Sequence, residues 1–174
     1  AARKKITLLN APEGNRDAVA EHTLGMLLSL INKFNKSNLE VRNRIWDREG
    51  NRGIELMGRT FAIIGYGFMG EAVSRRLTGF GCKAIAYDKY KQGYGNQYVK
   101  EVSLQDVFDA ADIVSFHVPL TAETRFYVND SFIESFKKNI ILLNTARGEI
   151  LPLSTVVKYL KSGKIMAAGL DVLE

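Results

Sequence analysis

Residues 63–70 read IIGYGFMG, an apolar pair running into glycines at 65, 67 and 70. Three residues without side chains in one turn suit a backbone that lies against something large and negatively charged. The stretch GYGFMG fits G-x-G-x-x-G, a pattern common by chance, so its surroundings decide. Before it, FAIIG (61–65) predicts a strand; after it, FMGEAVSRRLTGF predicts a helix. The next strand, KAIAYD (83–88), ends on Asp88, 18 residues after Gly70. Strand, glycine turn, helix, strand and terminal acid in this order are the layout of a dinucleotide site. Gly65 permits the tight turn, Gly67 admits the pyrophosphate to the backbone, and Gly70 lets helix and strand pack closely. The N–H groups of Phe68 and Met69 then meet the pyrophosphate at the positive end of the helix. Asp88 accepts the ribose hydroxyls of NAD and repels the 2′-phosphate of NADP, a repulsion that Lys89 and Lys91 soften. NAD is the expected cofactor.

Outward from this unit the rhythm continues. DIVSFHV (112–118), NIILLN (139–144) and KIMAAGLDV (164–172) are further strands, separated by the helical stretches SLQDVFDA, DSFIESF and STVVKYLKSG. Nearly continuous apolar strands are expected where helices cover both faces of a parallel sheet. Gly81 and Gly163 stand just past helices, where left-handed C-caps are wanted. The fold class is therefore α/β, a Rossmann-like doubly wound parallel sheet over 60–174. Residues 1–59 break the pattern. ITLLN (6–10) reads as a short strand. A long helix follows from Asn15, a candidate N-cap, with Val19, Leu24, Leu27, Leu28, Ile31 and Phe34 on its apolar side. Such a helix needs a partner surface, either another domain or another subunit. A second helical stretch, around NLEVRNRIW, comes next.

The composition sets bounds. The 174 residues are 46% hydrophobic and 25% charged, one domain's worth of ordinary globular sequence. A single cysteine, Cys82, excludes an internal disulfide and a cysteine metal cluster, and no metal site is expected. One free thiol suits a reducing, cytoplasmic compartment, and Cys82 is assigned to the sheet core. No apolar run is long enough to span a bilayer. The net charge is +5, with basic residues crowded in VRNRIWDREGNRGIELMGR (41–59). Acidic residues interrupt them, so a solvated face is expected there and no nucleic-acid site. The chain has no starting Met and is expected to be a piece of something longer.

Five stretches in order, NAPEGNRDAVAEHTLGMLLSL, GRTFAIIGYGFMG, DIVSFHVPLTAETR, NTARGEI and SGKIMAAGLDV, resemble the signatures of D-2-hydroxyacid dehydrogenases. The resemblance covers essentially the whole chain. It implies the NAD-binding domain of a two-domain dehydrogenase: residues 1–14 as the crossover from a substrate domain, 15–59 as a long helix and dimerisation arm, 60–174 as the dinucleotide-binding domain. It also implies hydride transfer between NAD and a D-2-hydroxy acid, with 3-phosphoglycerate expected on overall similarity alone, and a homodimer. His117 and Pro119 would line the cofactor cleft. Thr145 and Ala146 would lie along the nicotinamide, Asp171 would hold its carboxamide, and Asn15 would stand near the substrate. Arg147 matches the catalytic arginine, a planar guanidinium suited to gripping the carboxylate and carbonyl of a 2-oxo acid together. The family's histidine acid/base and its glutamate are expected beyond Glu174. Glu174 and His117 match no catalytic position, and His22 is assigned to packing or capping. A non-enzymatic, NAD-sensing corepressor on the same fold is the alternative.

Overall fold

The computed structural model describes residues 7 and 9–174. Ile6 and Leu8 of the expected ITLLN strand lie outside the described residues, and Thr7, Leu9 and Asn10 are not in a strand. Six strands form one sheet: β1 (Thr60–Ile64), β2 (Lys83–Tyr87), β3 (Lys100–Glu101), β4 (Ile113–Phe116), β5 (Ile140–Asn144) and β6 (Ile165–Leu170). Their spatial order is β3-β2-β1-β4-β5-β6 and every pairing is parallel. The chain builds outward from β1 to β3, then returns to β4 on the other side. The connections above β1 and β4 therefore diverge and leave a crevice at the carboxyl ends of the strands.

Helices α1 (Arg16–Ile31), α2 (Phe34–Arg42), α3 (Phe68–Arg76), α4 (Leu104–Ala110), α5 (Asp130–Glu134) and α6 (Leu153–Ser162) complete the chain. Successive strand residues point to opposite faces, which divides the core in two. Ala62, Ile64, Val114, Phe116 and Leu142 pack with Val107, Phe132, Ile133, Val156 and Tyr159 of α4, α5 and α6. Phe61, Ile63, Ile113, Ile141 and Leu143 pack with Leu24, Leu27, Ile31, Val73 and Leu77 from α1, α3 and the turn after it. Gly81 and Gly163 take the left-handed conformation, with φ of 63° and 80°, just past helical segments.

Four expectations need correction. The long helix ends at Ile31, because Lys33 enters the left-handed region (φ 54°) and redirects the chain into α2; Phe34 is exposed as a result. The apolar side of α1 needs no second molecule, because the sheet of the same chain covers it. Asn15 precedes α1, but its side chain makes no capping hydrogen bond. Cys82 is only half-buried, just ahead of β2 at the margin of the α3 face, where desolvation pushes its thiol pKa up. Among the described residues no helix is long and apolar enough to cross a membrane.

Candidate functional site

The glycine turn joins β1 to α3 at the crevice. Gly65 has φ +94°, and a Cβ there would stand 2.7 Å from the carbonyl oxygen of His117. A Cβ on Gly70 would stand 2.3 Å from the Gly65 oxygen, so α3 sits against the turn at a distance only glycine allows. Gly67 differs. It is extended (φ −91°, ψ −159°) at the N-cap of α3, and a Cβ there would meet nothing within 4 Å. Its missing side chain leaves open space over the first turn of α3. Among the described residues the N–H groups of Phe68 and Met69 have no backbone acceptor. Free donors, a helix N-terminus and that open space together fit the pyrophosphate of a dinucleotide.

Asp88, just past β2, is bonded into this turn. Its Oδ2 accepts the Tyr66 N–H at 2.8 Å, and its Oδ1 accepts the N–H groups of Tyr90 (2.9 Å) and Lys91 (3.1 Å). The Lys91 ammonium in turn donates to the Tyr66 carbonyl at 2.9 Å. Tyr66 itself is buried, its hydroxyl 3.0 Å from Ser74 Oγ and its ring stacked on Tyr94 at 4.9 Å. A cavity of about 240 Å³ opens beside Asp88, lined also by Gly65, Gly67, His117, Pro119 and Thr124. His117 Nε2 lies 2.8 Å from Ser115 Oγ, and burial pushes its pKa down to about 4. The imidazole is neutral at physiological pH.

Across the crevice, the loop after β5 carries Thr145, Ala146 and Arg147. Asn144, fully buried at the end of β5, fixes it from both sides: its Oδ1 accepts the Ala146 N–H at 3.0 Å and its Nδ2 donates to the Arg147 carbonyl at 2.9 Å. Thr145 Oγ1 lies 3.2 Å from the hydroxyl of Thr23 on α1. The Arg147 side chain is exposed, with Nη1 donating to the Ala146 carbonyl at 2.6 Å. At the next residue, a Cβ on Gly148 would stand 1.9 Å from the Leu173 carbonyl oxygen, so the chain leaving β6 lies directly on this loop. Asp171, past β6, has Oδ1 3.0 Å from His22 Nε2. Asn15 is exposed, about two turns up α1 from His22.

Residues 24–174 match the family described as D-isomer specific 2-hydroxyacid dehydrogenase, NAD binding domain. The chain belongs to that family. A hydroxypyruvate reductase of Thermotoga maritima is 36% identical over the whole of this chain, which spans 56% of that protein. A D-3-phosphoglycerate dehydrogenase of Methanocaldococcus jannaschii is also 36% identical over the whole chain, which spans 34% of it. Among solved structures, D-lactate dehydrogenase from Aquifex aeolicus, complexed with NAD and lactic acid, superposes with a TM-score of 0.89 at 30% identity, covering 99% of this chain and 52% of that one. The chain thus spans about half the length, or less, of these relatives.

In this 2-hydroxyacid dehydrogenase domain, the residues singled out from sequence fall into two groups on either side of the crevice. Gly65, Gly67, Phe68, Met69, Gly70, Asp88, His117 and Pro119 surround the glycine turn and its cavity. Thr145, Ala146, Arg147 and Asp171 lie at the ends of β5 and β6. Three contacts were not readable from the sequence. Asn144 reads as the end of an apolar strand, with no local mark of its double hydrogen bond. His22 neither packs nor caps; it is half-exposed and paired with Asp171. Glu174 Oε1 accepts the Leu153 N–H at 2.9 Å, capping α6 from 21 residues away.

Proposed function

We propose that the chain is the NAD-binding portion of an oxidoreductase that transfers hydride between NAD and a D-2-hydroxy acid, with 3-phosphoglycerate as the substrate. One juxtaposition carries the reading: the glycine turn tied to Asp88 on one side of the crevice, and the Asn144-held loop bearing Arg147 on the other. Bound NAD supplies the hydride acceptor. The turn's free N–H groups hold the pyrophosphate, Asp88 the adenosine ribose, and Thr145, Ala146 and Asp171 the nicotinamide half. Arg147 projects into solvent at that end, free to leave its weak partner on its own loop for a substrate carboxylate. It grips and polarises but takes no proton, because guanidinium stays charged at working pH. Asn15 stands at the same end, near the substrate. The relative named D-3-phosphoglycerate dehydrogenase matches along the whole chain, as the hydroxypyruvate reductase does at the same 36% identity, so that substrate rests on the overall resemblance alone.

The chain has two histidines, His22 bonded to Asp171 and His117 beside the Asp88 cavity, so neither is a free base next to Arg147. Binding and turnover should therefore separate. The chain is expected to bind NAD yet oxidise 3-phosphoglycerate at least ~10²-fold more slowly than a dehydrogenase with its acid/base in place. Calorimetry with NAD, followed by NADH absorbance with 3-phosphoglycerate, lactate and glycerate at alkaline pH, tests both halves. Absence of NAD binding would end this reading; efficient turnover would make the His22–Asp171 pair the first candidate base.

The same reading includes a cytoplasmic homodimer. Phe34, Leu39, Val41, Ile45 and Trp46, along α2 and just after it, expose apolar side chains that a two-fold partner would cover. Sedimentation at tens of micromolar tests it, a monomer counting against it.

A further inference from the structure

A 2′-phosphate on the adenosine ribose needs a cation beside it, and Lys89 and Lys91 directly follow the ribose-binding Asp88. Neither ammonium is free. Lys91 Nζ is bonded to the Tyr66 carbonyl. Lys89 Nζ lies 2.6 Å from Oε2 of Glu123, in the loop after β4, and the Tyr90 hydroxyl donates to that same oxygen at 2.5 Å. Lys89, Tyr90 and Glu123 all line the cavity that Asp88 lines. We propose that Glu123 is a cofactor-specificity residue, excluding NADP by occupying the lysine that would otherwise receive its 2′-phosphate. The inference rests on the Asp88 cavity being the ribose end of the NAD site.

The charges around the cavity support it. Of the charged residues that line the cavity, Asp88 and Glu123 outnumber Lys89, so an incoming dianion meets net negative charge; without Glu123, Lys89 is opposed by Asp88 alone. The bond between Lys89 and Glu123 is the first cause both of the raised Lys89 pKa and of the lowered Glu123 pKa, so both groups stay charged in each other's company. An exposed ion pair of this kind contributes little to folding. Its effect lies in which partner Lys89 takes.

Glu123→Gln keeps the shape and an acceptor for Tyr90 while removing the charge. Affinities for NADH and NADPH are measured by nicotinamide fluorescence in the chain, in Glu123→Gln, and in Glu123→Gln combined with Lys89→Ala. The ratio of NADPH to NADH affinity is expected to rise about fivefold in Glu123→Gln, the scale of one exposed ion pair, and to return to its starting value in the double variant. An unmoved ratio, or a gain that survives loss of Lys89, overturns the proposal. A parent chain that binds NADH with an unmoved ratio in Glu123→Gln overturns this role alone; one that binds neither cofactor overturns the site reading as well.

Discussion

The carboxylate of Asp88 accepts the backbone N–H of Tyr66 at 2.8 Å, so the residue just past the second strand is bonded into the turn that ends the first. One side chain thus shapes the turn and presents an acceptor to whatever lies over it. Asp88→Ala should weaken both roles. Losing three charge-assisted bonds on a partly exposed group should cost about 1–2 kcal/mol of stability, read by urea denaturation. The preference for NAD over NADP, expected to be at least ~10-fold in the parent, should narrow in the same variant by calorimetry.

The glycine turn predicts a dissociation between neighbours. Gly67→Ala adds a methyl to open space, so stability should change by no more than about 0.5 kcal/mol, while NAD affinity falls at least ~10-fold because that methyl stands over the pyrophosphate position. Gly70→Ala forces a methyl onto the Gly65 carbonyl and should destabilise by about 1–3 kcal/mol. Paired denaturation and binding curves separate the two. Equal stability losses would mean that Gly67 also serves the fold.

Asn144 offers a sharper structural test. Asn144→Ala leaves the Ala146 N–H and the Arg147 carbonyl without their buried partner, a loss of about 2–3 kcal/mol. NAD affinity should fall beyond what unfolding accounts for, because the 145–147 loop is no longer held. Unchanged hydrogen exchange at Ala146 in this variant would contradict the latch.

His117 makes stability depend on pH. Its folded pKa, about 4, lies below the ordinary histidine value of 6.5, so between these values the unfolded chain binds more protons than the native one. Its contribution is fully present above pH 6.5 and is lost as pH falls toward 4, reaching up to about 3 kcal/mol. His117→Gln, which can still bond Ser115, should flatten the fall in stability between pH 7 and 4.5. A parallel fall in both proteins would assign the acid sensitivity to carboxylates instead.

The sheet and the glycine turn were legible because each rests on a local pattern. β1, β4 and β5 are apolar runs with every residue buried, and the turn needs three glycines at fixed spacing. What stayed hidden has no local signature. β3 is only Lys100–Glu101, two polar residues paired along the edge of β2. The break after α1 depends on a left-handed lysine, a conformation no residue type announces. Lys89 and Glu123 are 34 residues apart, and His22 and Asp171 are 149 apart; only the strand order brings them together. Lys89 and Lys91 are a case in point. Their charge is visible in sequence, but the partners that already hold it are not.

Gly148 gives the Arg147 loop a property of a different kind. Its spacing from the Leu173 carbonyl is set by a hydrogen atom, the thinnest shim a protein can insert between two passing backbones. The loop and the segment leaving β6 therefore share one clearance with no slack in it. Any thicker residue at 148 must tilt the guanidinium's platform or lift the outgoing chain, and a pull on the outgoing chain must be felt at the guanidinium. Alignment of the arginine is thereby calibrated from the neighbouring edge strand.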